Sequence, residues 1–272
     1  MLTILTPTYN RRSTLPRLYE SLCGQSRQDF EWLVIDDGST DGTASWLLSC
    51  QAQTSAFAVR SLSQANGGKH AALNTGVRAA QGDWIFIVDS DDYLTPDAVE
   101  CMMDAVARDS QVPRLVPGVC FRRADPQGRL LGLPCEEAPS PFVGTPSQVG
   151  RMVQGDLAYA FRRDVMADLP FPIIPGERFV PELYIWNQIG DRGPVWFYLD
   201  RAIYVCEYLD DGYTRNFHAH LRRNPGGFLL FYAAQIGREP RWRDKLKAGI
   251  RSVQCLVYCA IKAAADRRRA PS

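Results

Sequence analysis

The sequence lacks several features that would place it in a specialised class of proteins. Its eight cysteines are scattered and include no CxxC pair, which argues against a disulfide-stapled secreted scaffold and predicts reduced thiols. Lys and Arg (31) nearly equal Asp and Glu (30), so no global field favours nucleic acid as a partner. No apolar run is long enough to span a bilayer, and no secretory signal precedes the first strand pattern. The expected location is therefore the cytoplasm.

The first hundred residues alternate strand patterns with helical patterns. Short apolar runs at 2–6, 30–35, 57–62 and 84–88 are separated by segments with helical spacing of apolar residues. Such alternation predicts an α/β fold in which helices connect parallel strands. The pattern weakens after residue 109, and residues 216–269 are mainly helical. The predicted organisation is a catalytic domain at 1–215, with halves at 1–108 and 109–215, followed by a helical extension at 216–272.

Three carboxylates follow the apolar strand at 84–88. Asp89, Asp91 and Asp92 would repel one another at the end of a buried strand unless a cation lay between them. The alternative is a solvated acidic turn that caps the next helix.

Polar clusters also follow the strands at 2–6 and 30–35, and the ends of parallel strands meet at one edge of a sheet. Between these clusters, 66–70 combines a glycine turn with Lys69 and His70 at a helix start, where backbone N–H groups favour an anion. A phosphorylated ligand with a divalent metal would satisfy both signs of charge.

These segments resemble the inverting family 2 glycosyltransferases of the GT-A fold. The resemblance is carried by TPTYNR (6–11), VIDDGSTDGT (34–43), NGGKHAALNTG (66–76), GDWIFIVDSDD (82–92) and, more loosely, ERFVPELYIWNQIG (177–190). It implies a Rossmann-like, mostly parallel sheet flanked by helices, with a C-terminal helical extension. NGGKH and FVPE are similar to segments of bacterial enzymes of capsule or exopolysaccharide assembly.

The resemblance implies a nucleotide pocket at the ends of the first two strands. Thr6, Pro7 and Tyr9 would line the nucleoside, and Asp36 or Asp37 would accept a hydrogen bond from the base. A carboxylate only accepts hydrogen bonds and can read the imide N–H of uracil, which favours a UDP-sugar donor. Taken alone, the two aspartates fit a turn before a helix equally well.

The resemblance also implies a metal site in the DxD motif. Asp91 would bind Mn²⁺ or Mg²⁺ on the diphosphate, and Asp89 would lie between the metal and the ribose or sugar, since these ions prefer oxygen ligands. Lys69 would contact phosphate or donor sugar, or else be a solvated lysine. His218 is a further candidate ligand, because some relatives supply a late histidine.

An inverting transfer needs a base for the acceptor hydroxyl. Glu182 is the first candidate and Glu177 the reserve, because the family places an acid in this region. This sequence lacks the Glu-Asp pair of many relatives, and a surface salt bridge is the alternative for either residue. Trp186 either stacks on an acceptor sugar or belongs to the core.

The predicted function is metal-dependent transfer from a nucleotide-sugar to a saccharide or lipid-linked saccharide acceptor. The alternative is a catalytically inactive sugar-nucleotide or glycan-binding module of the same fold. A dinucleotide-dependent oxidoreductase is disfavoured because no GxGxxG follows the first strand. The basic, amphipathic segment 245–269 either rests on the inner face of the plasma membrane or packs on the catalytic domain.

Overall fold

Strands and helices alternate through the first half of the chain, as the sequence pattern predicts. The computed structural model describes residues 1–53, 56–109, 116–135, 137–206 and 217–269. All four strands expected in this half are present. The elements are β1 (Leu2–Thr8), α1 (Leu15–Cys23), β2 (Phe30–Asp36), α2 (Thr43–Gln53), β3 (Ala58–Ser63), α3 (Lys69–Ala79), β4 (Trp84–Ile87), β5 (Tyr93–Leu94) and α4 (Ala98–Asp109).

The second half adds shorter strands and a helical C-terminal part. Its elements are β6 (Gly118–Ala124), β7 (Phe142–Gly144), α5 (Pro146–Val153), β8 (Leu157–Arg162), α6 (Arg163–Asp168), α7 (Leu183–Arg192), β9 (Val195–Val205), α8 (Phe217–Arg223), α9 (Pro225–Arg238) and α10 (Trp242–Arg269). The predicted boundary between catalytic domain and extension, at 215/216, lies outside the described residues.

All the strands belong to one sheet, in the order β3-β2-β1-β4-β8-β6-β9-β5, with β7 also paired to β9. The first four strands are parallel because a helix crosses over between each successive pair. β8 runs antiparallel to both β4 and β6, whereas β6 and β9 are parallel. The pairing is thus parallel from β1 to β4, and the rest of the sheet is mixed.

Helices cover both faces of the sheet, so the central strands are buried on both sides. Alternate residues of β1 face opposite layers: Ile4 joins a cluster with Leu18 of α1 and Met102 of α4. Leu5 joins a second cluster with Leu73 of α3 and Ile185 of α7. This two-sided burial explains why β1, β2 and β4 read as continuous apolar runs rather than alternating ones.

Close packing of α3 on the sheet depends on a glycine. A Cβ added at Gly76 would lie 2.2 Å from Leu5 Cδ1, so a larger residue would force the buried Leu5 side chain to move. Asn74, on the same helix, exchanges hydrogen bonds of 2.8 Å with the backbone N–H and C=O of Phe171. These contacts fix α3 against the sheet.

The C-terminal helices pack on one another around Leu221, Phe228 and Cys255. Hydrogen bonds also join α9 to the rest of the chain, through Gln235 and the buried Asn187 of α7. Among the residues that the structure describes, no helix combines the length and apolar character needed to cross a bilayer.

Candidate active site

A cavity of about 540 Å³ opens at the carboxyl ends of β1, β2 and β4. Ligands of open α/β sheets collect at this edge, because the chain leaves the parallel strands there in loops. Six of the residues predicted for the site line the cavity: Pro7, Tyr9, Asp37, Lys69, Asp89 and Asp91. The structure therefore brings together residues that the sequence separates by more than eighty positions.

Two residues predicted for the nucleotide pocket lie beneath the cavity rather than in its wall. Thr6 is fully buried and accepts a hydrogen bond of 3.0 Å from Trp32 Nε1. Asp36 is also buried, and its Oδ1 accepts from the backbone N–H of Ser39 at 3.0 Å. Thr6 therefore stabilises strand packing, and Asp36 stabilises the turn after β2.

Asp37 lines the cavity but uses most of its acceptor capacity on the protein. Its Oδ1 accepts from Gln64 Nε2 at 2.8 Å and from the N–H of Gly67 at 2.9 Å, and its Oδ2 accepts from the N–H of Gly68 at 2.7 Å. The anion expected at the start of α3 is thus supplied by the chain itself. One lone-pair position of the carboxylate is left for a ligand.

Gly68 allows the start of α3 to approach the segment before α7. Its φ of +91° is readily adopted only by glycine, and an added Cβ would lie 1.9 Å from the carbonyl oxygen of Arg178. The close approach places Lys69, the next residue, beside Glu182 at the start of α7.

Lys69 joins the predicted donor site to the predicted base. Its Nζ lies 2.5 Å from Asp89 Oδ1 and 2.7 Å from Glu182 Oε1. Burial would lower the pKa of Lys69, but the two carboxylates outweigh burial and hold that pKa above its ordinary value. Burial likewise opposes ionisation of Asp89, yet the charges of Lys69 and Arg123 hold its pKa below the ordinary value. Lys69 and Asp89 are therefore both charged at neutral pH.

Arg123, at the end of β6, is a second cation on the DxD motif. Its Nη1 lies 3.6 Å from Asp89 and 3.5 Å from Asp92, and its guanidinium stacks 4.0 Å from the ring centre of Tyr204. The Tyr204 hydroxyl also accepts a hydrogen bond of 2.8 Å from the N–H of Asp89. Burial and the neighbouring Asp89 charge raise the pKa of Asp92 to about 6 despite Arg123.

Asp91 differs from Asp89 in its surroundings. Its carboxylate lies 3.4 Å from Arg11, and its side chain is 28% exposed and lines the cavity. Asp89, in contrast, already contacts two cations. No group of three or more His, Cys, Asp or Glu among the described residues is placed to hold a metal ion. A divalent ion here would thus need oxygen ligands from phosphate or water in addition to Asp91.

Two other predicted residues, Glu177 and His218, lie outside the lining of the cavity. Glu177 is buried, and its two oxygens accept from the N–H groups of Gly226 and Gly227 at 2.9 Å, which caps α9. His218 lies exposed on α8, with its ring against Phe217, and does not line the cavity.

Trp186 is a core residue, because it is buried against Phe161 at a ring separation of 4.7 Å. The alternative of sugar stacking by Trp186 is therefore not retained.

Sequence reasoning missed most of the arginines at the site. Arg11, Arg178 and Arg223 line the cavity, and Arg123 lies behind it on the DxD carboxylates. Arg11 and Arg178 fall inside the segments that resemble the family, so their charge is a usable signal. Nothing in the sequence marks Arg123, since only the pairing of β6 within the sheet brings it to the site.

The first half of the chain is similar in sequence to known glycosyltransferases. The model of the family described as Glycosyl transferase family 2 matches residues 3–125. Chondroitin synthase of Escherichia coli is 40% identical over 131 residues, which are 48% of this chain and 18% of the synthase. An undecaprenyl-phosphate 4-deoxy-4-formamido-L-arabinose transferase of Aeromonas hydrophila is 31% identical over 108 residues, which are 39% of this chain and 33% of the transferase. The chain spans only a minor part of these curated relatives.

Solved structures share the fold over nearly the whole chain. S. aureus TarS 1-349 in complex with UDP superposes with a TM-score of 0.64 at 16% identity, covering 94% of this chain and 70% of TarS. A mannosyltransferase from Pyrobaculum calidifontis, in complex with GDP-Man and Mn²⁺, gives 0.60 at 21% identity, covering 97% and 75%. At these identities the likeness establishes the fold, which is GT-A as expected.

Proposed function

We propose that this chain, which matches the glycosyltransferase family 2 model over residues 3–125, moves a sugar from a nucleotide donor to a saccharide acceptor with inversion at the anomeric carbon. The observation that carries this proposal is the pair of contacts made by Lys69. One ammonium holds both a DxD carboxylate, Asp89, and an acid from a distant segment, Glu182, at the edge of the cavity. Donor-binding and proton-accepting groups are thus adjacent.

The charges around the cavity suit a nucleotide diphosphate. Four cations line it, Arg11, Lys69, Arg178 and Arg223, together with the carboxylates of Asp37, Asp89 and Asp91. Guanidinium groups match phosphate geometry and remain charged at all physiological pH values. Asp37, beside Pro7 and Tyr9, retains a lone-pair position for the imide N–H of uracil, and we therefore favour a UDP-sugar. TarS is solved with UDP and the Pyrobaculum enzyme with GDP-Man, so the preference for uracil over guanine rests on Asp37.

Asp91 is the proposed ligand of Mn²⁺ or Mg²⁺. Its carboxylate faces the cavity, and hard oxygen donors fit these ions. When bound, the ion would stabilise negative charge on the departing diphosphate. Asp89 is held by Lys69 and Arg123 and is assigned to the ribose or sugar side. His218 is left out of the ligand set because it does not line the cavity.

Glu182 is the proposed base that takes the proton of the acceptor hydroxyl. It stands immediately before α7, and Lys69 holds its carboxylate toward the donor site. A positioned carboxylate is needed because hydroxyls are weak nucleophiles at neutral pH. Glu177 is unsuited to this role, since both of its oxygens cap α9.

The proposed acceptor is a saccharide, free or lipid-linked, in the synthesis of a surface polysaccharide. Its support comes from two relatives, a chondroitin synthase and an undecaprenyl-phosphate 4-deoxy-4-formamido-L-arabinose transferase. The chain matches only parts of both proteins.

The test combines UDP binding with a transfer assay over a panel of UDP- and GDP-sugars and saccharide acceptors. Glu182→Gln should abolish transfer and leave UDP–Mn²⁺ binding unchanged, because only the proton acceptor is lost. Asp91→Asn should lose the Mn²⁺-dependent part of UDP binding. The matched control is Glu100→Gln, an exposed carboxylate on α4. Metal-dependent binding by the wild type without transfer or donor hydrolysis would instead identify an inactive binding module.

A further inference from the structure

Helix α10 presents a row of large apolar residues to solvent. Its six members are each between 51% and 69% exposed, and we call them the apolar stripe: Trp242, Leu246, Ile250, Val253, Val257 and Ile261. At 100° per residue they fall within a sector of about 100° on one side of the helix. Large exposed apolar patches on proteins mark interaction sites.

The helix packs on the protein with its other side. Ala248, Ser252 and Cys255 are buried, and they lie on the face opposite the apolar stripe, where α10 meets α9. These three small residues therefore contact α9, and the apolar stripe stays exposed to solvent. The helix thus packs on the rest of the chain, as one of the two sequence alternatives predicts, but it does so without its apolar stripe.

Charge identifies the kind of partner. The sequence of α10 contains eight Lys and Arg residues but only two Asp residues, and both ends of the helix are basic, at 243–247 and at 267–269. Pairing of α10 with a second copy, parallel or antiparallel, would set basic segments against each other. The steps of 4, 4, 3, 4 and 4 residues in the stripe also depart from the alternating 3 and 4 of a coiled-coil seam.

From these observations we propose that the apolar stripe inserts into the interface of an anionic membrane, with α10 lying in the plane of the surface. The basic residues beside the stripe, Arg243 and Lys247, would face the lipid headgroups, and Trp242 suits the interfacial region. Each basic residue near an anionic surface strengthens binding by about fivefold.

The face of α10 away from the apolar stripe contacts the wall of the candidate active site. Lys262 of α10 donates hydrogen bonds to the carbonyl oxygens of Gly176 at 2.8 Å and Arg223 at 3.2 Å, and Arg223 lines the cavity. Binding of α10 to a membrane would hold the chain at the surface that carries lipid-linked acceptors. The inference itself does not depend on the reaction performed in the cavity.

The experiment is flotation of the full chain with two kinds of vesicle, one of phosphatidylcholine alone and one that also contains phosphatidylglycerol. The wild type should float with the anionic vesicles and lose binding at high salt. Ile250→Glu combined with Val257→Glu should lower the partition coefficient at least about tenfold. The matched control is Leu48→Glu, which charges an equally exposed leucine on α2, at 63%, and should bind like wild type.

Further readouts separate folding and self-association from membrane binding. The altered side chains are exposed, so the double variant should keep the wild-type melting temperature. The double variant Arg243→Gln, Lys247→Gln keeps the apolar stripe. It should bind anionic vesicles more weakly than wild type and bind phosphatidylcholine vesicles as wild type does. Equal flotation of wild type and the Glu double variant would overturn the proposal. The proposal would also be overturned if light scattering showed a dimer for the wild type and a monomer for the Glu double variant. Transfer to a soluble acceptor should be unaffected throughout, so failure here leaves the proposed function standing.

Discussion

Replacement of Lys69 by methionine tests the central feature of the candidate site. The substitution keeps an unbranched chain of similar length and removes the ammonium that Asp89 and Glu182 share. Breaking a fully buried pair from one side costs about 3–5 kcal/mol, because a charge is left without compensation. The Lys69 side chain is 27% exposed, so solvent screening reduces the expected loss to roughly 2 kcal/mol. For a chain of this size that loss lowers Tm by about 4–8 °C.

A second substitution distinguishes the loss of charge compensation from the loss of packing, because the two causes predict opposite changes in the free energy of unfolding. If the two carboxylates repel each other once Lys69 is gone, Glu182→Gln in the Lys69→Met background should recover about 1 kcal/mol. Loss of packing alone would not be recovered. The pH dependence follows the same logic: Lys69 helps to hold the pKa of Asp89 below its ordinary value. That contribution to stability is present above the unfolded pKa of about 3.9 and is lost as pH falls through the folded pKa. The variant should therefore lose less stability on acidification.

Denaturant unfolding and a transfer assay would measure both effects. Transfer by Lys69→Met should fall at least about 100-fold, because the candidate base is no longer held against the donor site. Lys247→Met is the control: this lysine is 76% exposed, pairs with Asp244 at 3.0 Å, and should change stability by less than about 0.5 kcal/mol. The reasoning would be refuted if Lys69→Met matched wild type in Tm and transfer, or if Glu182→Gln destabilised it further.

Two further predictions concern carboxylates beside and behind the site. Burial and the charge of Asp89 raise the pKa of Asp92 to about 6. Folding therefore favours the protonated form of Asp92. The resulting contribution to stability is lost as pH rises from about 4 through about 6. Asp92→Asn should remove the dependence, and denaturant unfolding at pH 5 and pH 8 checks it; an unchanged slope would contradict the prediction. Glu177→Gln should cost about 1–2 kcal/mol, because the charged cap on Gly226 and Gly227 is lost. UDP binding measured by calorimetry should persist in this variant, and its loss would place Glu177 in the site.

Much of the fold and part of the site could be predicted from local sequence. The apolar runs that became β1, β2 and β4 predicted buried parallel strands, and the polar residues following them predicted the edge where the cavity lies. Pro7, Tyr9, Asp37, Lys69, Asp89 and Asp91 line that cavity. The strands are predictable because burial on both faces of a strand leaves a continuous apolar run in its sequence.

The structure differs from the sequence prediction at residues that have two physically reasonable partners. Thr6 and Asp36 both follow the pattern of a nucleotide pocket, yet Thr6 bonds Trp32 and Asp36 holds the turn after β2. Glu177 and Glu182 lie five positions apart in one motif, and only the placement of α9 shows that Glu177 is a helix cap. Composition and spacing cannot distinguish these partners, because each hydrogen bond depends on elements far away in the chain.

The sequence by itself determined the order of strands and helices in its first hundred residues, the edge of the sheet that holds the site and the acidic motif at its centre. Those features depend on apolar periodicity and on the rule that ligands meet parallel strands at their carboxyl ends. Only the tertiary structure decided which cations meet that motif, because Arg123 and Lys69 reach Asp89 through strand pairing and through the close approach at Gly68. It likewise decided that α10 packs through its small residues and leaves the apolar stripe exposed, since the choice of face depends on what α9 presents to it.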